Sequence, residues 1–505
     1  MVVRMSVQSQ SRLLTWVPIA LLVPTLVPAL LFGPFPKRAS WGGGSRAARQ
    51  EDSRNEFAYL ALERAERSVA QGRYDRAYAE YQRLAERYPG TPAGSIAARR
   101  AGPNGFLGEV DLRRVGPSPN RLDIILMAEG FPLADQRDFV KRVADVPKTL
   151  LSEPVFAEYR QYWNVIRAHY ASRDAGVSGA GMSYSTALGA RRVSAGPVPF
   201  VAVAPGTVAA RLDALRAHDH SAVVFLATGA HGSASRGVAT IGQEDQQHLM
   251  AALGHSLAGL LSERAAATGL QVISGPIARA QRPLEGPNVS TTDAPGAVPW
   301  THWLDTDLRG IGVHEGADGQ LRSRFRGSDG ECWMGEPGAS RYCAICREAV
   351  VLALYDYVDP IERAEPRGHP SSLVGVDDYA LAGPGPHRFE LALMKPQSHG
   401  LRIRWWLIES GSVPRAMAID DRSASRPRRI RGPLPAIDAQ PVRQVDSANG
   451  KESFQLAVDD MAPGLYRLIC RVEDDSTVRG TSSPWVLEDP RDLLHSERGW
   501  WVRVD

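Results

Sequence analysis

Between "NRLDIILMAEGF" (Asn120 to Phe131) and "CREAVVLALYDYV" (Cys346 to Val358) the chain alternates short apolar runs with helical ones, and this alternation constrains the fold more than any other feature. Leu122 to Met127 reads as a β-run, "DQRDFVKRVADVPKTLLS" as a helix, "YWNVIRAHYAS" as a strand and "SAVVFLATG" as a fully apolar strand. Strands alternating with helices predict an α/β sheet domain over residues 118–360. After Pro360 the pattern changes. "RFELALM", "LRIRWWLIE", "SFQLAV", "GLYRLICRV" and "GWWVRV" alternate with period two between turns rich in Pro, Gly, Asp and Ser. Residues 374–505 therefore read as a β-sandwich of the immunoglobulin or fibronectin kind, expected to carry no chemistry.

At 505 residues the chain is longer than one core usually serves, which predicts two or more domains. Its 23% charged and 43% hydrophobic residues argue against long disorder or a polytopic membrane protein. The net charge of +3 is spread without a basic block, so no nucleic-acid partner is expected.

The N-terminus differs from the rest. Leu13 to Phe35 carries no charge, follows Arg4 and Arg12, and is long enough to cross a bilayer. Residues 1–36 are read as an uncleaved signal anchor in preference to a cleaved signal, for which "VPA" at Val27 to Ala29 is the available site. Either way the remainder is expected to be exported and to meet the membrane through this segment. Lys37, Arg38, Arg46 and Arg49 make the downstream flank basic, which argues for the opposite orientation.

Residues 37–53, with "WGGGSRAARQEDS", read as a flexible tether. Residues 54–104 read as a helical hairpin stopped by Pro89 and Gly90. Gly72, Tyr74, Ala77, Tyr81, Leu84 and Pro89 give this hairpin a resemblance to a tetratricopeptide unit. A single unit must dock on the next domain or on a partner.

"MAALGHSLAGLLSE", Met250 to Glu263, is an apolar helical stretch around His255. Zincin helices carry two histidines at i and i+4, so that both rings reach one metal, with a glutamate beside the first as general base. Here Ala251 and Ala252 occupy those positions, and neither binds zinc or moves a proton. Taken alone, His255 among Leu249, Met250, Leu253, Leu257, Leu260 and Leu261 reads as a hydrogen-bonded core residue.

The wider context carries a resemblance. "LDIILMAEGF", "LLSEPVFAEYRQYWNVIRAHYASRDAGVS", "STALG", "VVFLATGAHGSAS", "GHSLAGLLSE", "GVHEGADG" and "CWMGEPGASRYCAICREAV" together resemble the bacterial IgA peptidases, zinc metallopeptidases related to the metzincins. That resemblance covers Asn120 to Val358 and implies a metzincin-like core. The family's helix reads His-Glu-x-Gly-His-Ser-x-x-Gly-Leu-x-Asp-Glu-Tyr. Gly254, His255, Ser256, Gly259, Leu260 and Glu263 match it, while Ala251, Ala252, Ser262 and Arg264 stand for the first His, the Glu, the Asp and the Tyr. Ala128, Glu129, Gly130 and Phe131 stand where relatives tend to have Gly-Asp-Gly-Tyr.

Two of three metal ligands and the general base are thus replaced, leaving His255 as the only retained ligand position. No metal or cofactor is expected. His248 lies seven positions before His255, about 10.5 Å along a helix axis against about 6 Å for the usual pair. His231 and His314 read as surface or loop histidines. The chain is accordingly expected to be an envelope pseudo-peptidase, anchored in the inner membrane facing the periplasm or exported, that binds proteins through its hairpin or sandwich. The alternative is an active hydrolase with a relocated zinc or catalytic site using Glu129, Glu263 or the Ser256 hydroxyl; no Gly-x-Ser-x-Gly elbow supports it.

Cys332, Cys343 and Cys346 fall in "CWMGEPGASRYCAIC". A C-x-x-C pair alone fits zinc, redox chemistry or a disulfide. Structural zinc wants four ligands and the nearest histidine in sequence is His314, whereas export favours a disulfide from Cys332 to Cys343 or Cys346. Met334 reads either as the methionine turn implied by the resemblance or as a core methionine, and Cys470 as a buried free thiol.

Overall fold

The computed structural model describes residues 46–179, 181–194, 199–213, 215, 220–227, 231–242, 248–264, 271–272, 285–317, 320–335, 339–366, 386–409, 442–444, 449–459, 461–477 and 484–504. The expected signal segment, Leu13 to Phe35, lies outside them. Among the described residues no helix is long and apolar enough to cross a membrane. The chain divides into Met1–Ser53 and Arg54–Asp505.

Helices α1 (Arg46–Ala70), α2 (Tyr74–Arg87) and α3 (Pro92–Arg100) come first. α1 starts inside the expected tether, because beyond Gly44 the residues Arg, Ala, Gln and Glu favour helix. Gly72 turns the chain between α1 and α2 with φ 70°, and Thr91 caps α3 by accepting from the Gly94 amide at 3.0 Å. Val69, Tyr74, Ala77, Tyr81 and Leu84 share one core with Leu107, and the Tyr81 hydroxyl donates to the Leu107 carbonyl at 2.6 Å. The helices thus bury their apolar face on the sheet that follows.

That sheet and its helices are built from β1 (Gly105–Arg113), β2 (Leu122–Glu129), α4 (Gln136–Val143), α5 (Val146–Ser152), α6 (Pro154–Glu158), β3 (Trp163–Ala171), β4 (Arg191–Val193), β5 (Phe200–Ala202), α7 (Pro205–Leu212), β6 (His220–Leu226), β7 (Ser233–Ser235), β8 (Val238–Ile241), α8 (Leu249–Ala258) and β9 (Gln271–Val272). Seven strands run in the order β1-β3-β2-β6-β8-β7-β9, while β4 and β5 pair separately. β2 is parallel to β3 and β6, and β6 to β8; β1 and β7 run antiparallel to β3 and β8. The sheet therefore begins ahead of residue 118, the expected boundary. The helix expected through "DQRDFVKRVADVPKTLLS" is two helices, because Pro147 has no N–H to offer the Val143 carbonyl.

β2 is buried along its whole length. Leu122, Ile124, Leu126 and Ala128 face a core shared with α4, α8 and Val350, Val351 and Leu354; Ile125 and Met127 face a second core under α7. A strand covered on both faces needs apolar residues at nearly every position, which is why "IILMA" shows no alternation, while the buried Asp123 accepts from Asn164 Nδ2 at 2.8 Å.

Next come β10 (Val289–Ser290), α9 (Thr301–Leu304), β11 (Ile311–Ala317), β12 (Gln320–Ser328) and α10 (Ala344–Tyr357). The C-terminal part holds β13 (Ile361–Glu365), β14 (Pro386–Leu393), β15 (Leu401–Glu409), β16 (Val442–Gln444), β17 (Ser453–Ala457), β18 (Gly464–Asp474) and β19 (His495–Val504). They form two antiparallel sheets, β13-β14-β17 and β16-β15-β18-β19, over one core in which Trp405 stacks on Trp500 at 5.8 Å. The first strand starts at Ile361, ahead of the expected boundary at residue 374, since Ile361 and Ala364 belong to this core.

One buried carboxylate joins the two regions. Asp474 at the end of β18 accepts from the hydroxyls of Tyr159 (2.9 Å) and Tyr355 (2.5 Å) and pairs with His399 Nε2 at 2.6 Å.

Candidate active site

α8 is apolar on every side and buried from Leu249 to Leu257, packed against β6, β7, β8 and α10. It ends at Ala258 because Gly259 takes the left-handed conformation (φ 68°), which lets the Leu260 amide return to the Gly254 carbonyl at 3.1 Å. The chain folds back along the helix. As a result Ala251, His255 and Ser262, the three positions that the sequence resemblance assigns to ligands, surround one cavity with His248, Arg264, Trp333 and Met334.

The cavity measures about 10 Å³, roughly the room for a single water. Zinc would need donor atoms at about 2.0 to 2.2 Å, and the methyl groups of Ala251 and Ala252 supply none. Arg264 brings a cation to the same space and is held there by its Nε, which donates to the Gly335 carbonyl at 2.7 Å. The residues present do not fit the family's catalytic zinc.

His255 is buried, and its Nδ1 donates to the Leu260 carbonyl at 2.6 Å, so the hydrogen-bond pattern places the proton on Nδ1 and leaves Nε2 as the acceptor. Burial pulls its pKa down to about 4; the Leu260 carbonyl works against this, and the charges of Arg264 and His248 add to it. The ring is neutral at physiological pH. Gly254 is required by its neighbours, since a Cβ there would stand 2.9 Å from the Met334 sulfur. Met334 is buried and walls the cavity, and its carbonyl accepts from the Glu263 amide at 2.7 Å.

The other candidate residues are occupied elsewhere. Glu129 accepts from Thr186 Oγ1 (2.5 Å) and the amides of Leu188 and Ala190 (2.7 Å each), which makes it the anchor of that loop. Burial raises its pKa against those three hydrogen bonds and the charge of Arg211. The Ser256 hydroxyl lies 3.4 Å from that of Ser221, which cannot serve as a base. The His231 carbonyl accepts from Val201, and His314 in β11 contacts the Gly310 carbonyl at 3.3 Å; neither residue lines the cavity.

Cys332, Cys343, Cys346 and Cys470 are all free thiols, which corrects the expected disulfide. The physical reason is that three sulfurs, not two, converge with the Glu263 carboxylate, their donor atoms all within 4.8 Å of one another. Burial pushes the Cys332 and Cys346 thiols well up, while hydrogen bonds from those two thiols and from nearby amides hold Cys343 well down. Glu263 is pushed up to about 7 by burial, against hydrogen bonds from Asn288, Ser328 and Cys346.

Sequence patterns gave no sign of a second, larger cavity of about 770 Å³, walled by His255, Trp300, His302, Glu348, Asp356 and Arg491. His302 sits between Glu348 (2.6 Å) and Glu488 (3.1 Å), contributed by separate elements. Glu348 also accepts from Trp303 Nε1 at 3.1 Å and from the Leu487 amide at 2.7 Å, so its carboxylate is engaged in holding the wall.

Residues 110–309 match the family model described as IgA Peptidase M64. A search among curated proteins finds no match to the chain.

Proposed function

We propose that this chain, whose residues 110–309 match the IgA Peptidase M64 family model, is a catalytically silent member of that family, held at the bacterial envelope and used for protein binding or scaffolding. The observation that carries the reading is the cavity at the end of α8. It gathers the three positions assigned to the family's ligands, yet Ala251 and Ser262 flank the neutral His255, with His248 and the cationic Arg264 on the same wall. Hydrolysis by the family's chemistry needs a metal-bound water and a carboxylate base beside it. Ala252 stands at the base position, and the carboxylates of Glu129 and Glu263 are turned to other partners, which leaves no carboxylate base among the described residues that line the cavity. The uncharged segment Leu13 to Phe35 supports placement at a membrane, and the helices α1 to α3 and the C-terminal sheets supply surface for partners.

The test is a peptidase assay on the full-length chain in detergent, with protein and peptide substrates and added zinc. The expected result is no chelator-sensitive hydrolysis. Zinc-dependent cleavage that disappears in His255→Ala would overturn the reading.

A further inference from the structure

We propose that Cys332, Cys343, Cys346 and Glu263 form a structural site for a thiophilic divalent cation, zinc foremost, that clamps the segment after α8 to the N-terminus of α10. The donors come from three separate stretches: Glu263 five residues beyond α8, Cys332 in the loop after β12, and Cys343 and Cys346 at the start of α10. Only the fold brings them together.

Distance favours an ion over a covalent bond. A tetrahedral site with Zn–S near 2.3 Å sets its sulfurs about 3.8 Å apart. The four donor atoms already lie within 4.8 Å of one another, so a contraction of about 1 Å closes the shell. A disulfide would require two sulfurs at about 2.05 Å and would strand the third thiol and the carboxylate in the interior.

The surroundings are those of a ligand set. Asn288 Nδ2 donates to Glu263 Oε1 at 2.9 Å, and the Ser328 hydroxyl donates to Oε2. Asn288 is itself locked by both polar groups of Leu261, at 2.9 Å each. The Cys343 amide donates to the Cys332 sulfur at 3.3 Å, a backbone contact that stabilises a thiolate. Outer hydrogen bonds of this kind fix the orientation of metal ligands. Cys332, Cys346 and Glu263 are almost entirely shielded from solvent and Cys343 is half-buried, and with four protein donors the shell is filled as in structural zinc sites.

Charge completes the argument. Besides the Asn288 amide, Glu263 Oε1 receives the Cys346 thiol at 3.1 Å, and thiols are weak donors. A divalent cation there replaces protons: the three thiols release theirs to solvent, the carboxyl binds as carboxylate, and no redox change occurs. Ser262 and Glu263 then serve opposite sides of one strand of chain, Ser262 at the vestigial cavity and Glu263 at the clamp.

The experiment uses the full-length chain, purified under reducing conditions without chelator and supplied with zinc or cobalt. One equivalent of metal per chain is expected, with cobalt showing thiolate charge-transfer bands. Cys332→Ser and Cys346→Ser should each lose the metal and those bands, while His255→Ala and Cys470→Ser keep both. Absence of stoichiometric metal, a cobalt spectrum without thiolate bands, metal lost in His255→Ala instead, or cluster thiols mapped as a disulfide would each overturn the proposal. Where a cysteine variant does not fold, the cobalt spectrum of the unsubstituted chain decides alone. Peptidase activity is not a readout here, so this result stands or falls separately from the silent-enzyme reading.

Discussion

His255 Nδ1 donates to the Leu260 carbonyl at 2.6 Å, a bond that spans the left-handed turn at Gly259. It closes the end of α8 and lays Leu261 to Arg264 back along the helix. The histidine that the resemblance assigns to a ligand position thus serves here as a latch for the turn.

Two glycines around that latch are predicted to differ in what they tolerate. Gly259→Ala meets open space, so its cost is the left-handed backbone alone, about 1 kcal/mol. Gly254→Ala puts a methyl 2.9 Å from the Met334 sulfur and 3.1 Å from Leu260 Cδ1, and overpacking of that kind costs about 1 to 3 kcal/mol. Urea unfolding of both variants gives the comparison; a neutral Gly254→Ala contradicts the packing described.

Glu129 has a structural role that a single substitution exposes. Glu129→Gln turns an amide NH₂ toward groups that themselves donate, leaving at least one buried donor unpaired at about 1 to 3 kcal/mol. Hydrogen exchange of the Leu188 and Ala190 amides is expected to accelerate with the loss. Unchanged protection would mean that the carboxylate is not what holds this loop.

His399 predicts a pH dependence. Burial alone would lower its pKa, but hydrogen bonds to Asp474 and Glu158, with their charges, push it up to about 9. A base whose folded pKa lies above its unfolded value near 6.5 adds stability that is full below pH 6.5 and is lost as pH rises through 9, by at most about 3 kcal/mol. His399→Gln should flatten the stability curve between pH 6.5 and 9, read by denaturant midpoints. A curve of unchanged slope there refutes the assignment.

Installing the ligand types of the proposed family motif should require making room for them. Ala251→His, Ala252→Glu and Ser262→Asp together are expected to bind no additional metal, because Arg264 keeps its charge in a cavity of about 10 Å³. Adding Arg264→Tyr removes that charge, and the fourfold variant is expected to take up one equivalent more than the unsubstituted chain. Metal counting on both variants checks this, and uptake by the triple variant would show that Arg264 is no obstacle.

How far the sequence could be read depended on whether a feature was local. β2 was legible because burial on both faces demands an unbroken apolar run, and the family's helix was legible because Gly254, His255, Ser256 and Gly259 stand at fixed spacing. The meeting of Ala251 with Ser262 also follows from local geometry, since one glycine turn produces it. The sulfur cluster was read as a disulfide because its fourth member, Glu263, lies far upstream of Cys332 and carries no cysteine or histidine signature. His302 and Glu348 were missed for the same reason: a pair set by tertiary packing leaves no periodic trace.

Asp474 bears on where this molecule can be cut. Its carboxylate is the shared acceptor for Tyr159 beside α6, Tyr355 in α10 and His399 ahead of β15. A truncation that kept only the family-matched residues 110–309 would discard that acceptor together with Tyr355 and leave the buried Tyr159 hydroxyl without it. The smallest autonomous piece of this protein is therefore larger than its recognisable homology, and shortened versions are expected to report the loss of a keystone as though it were the loss of a function.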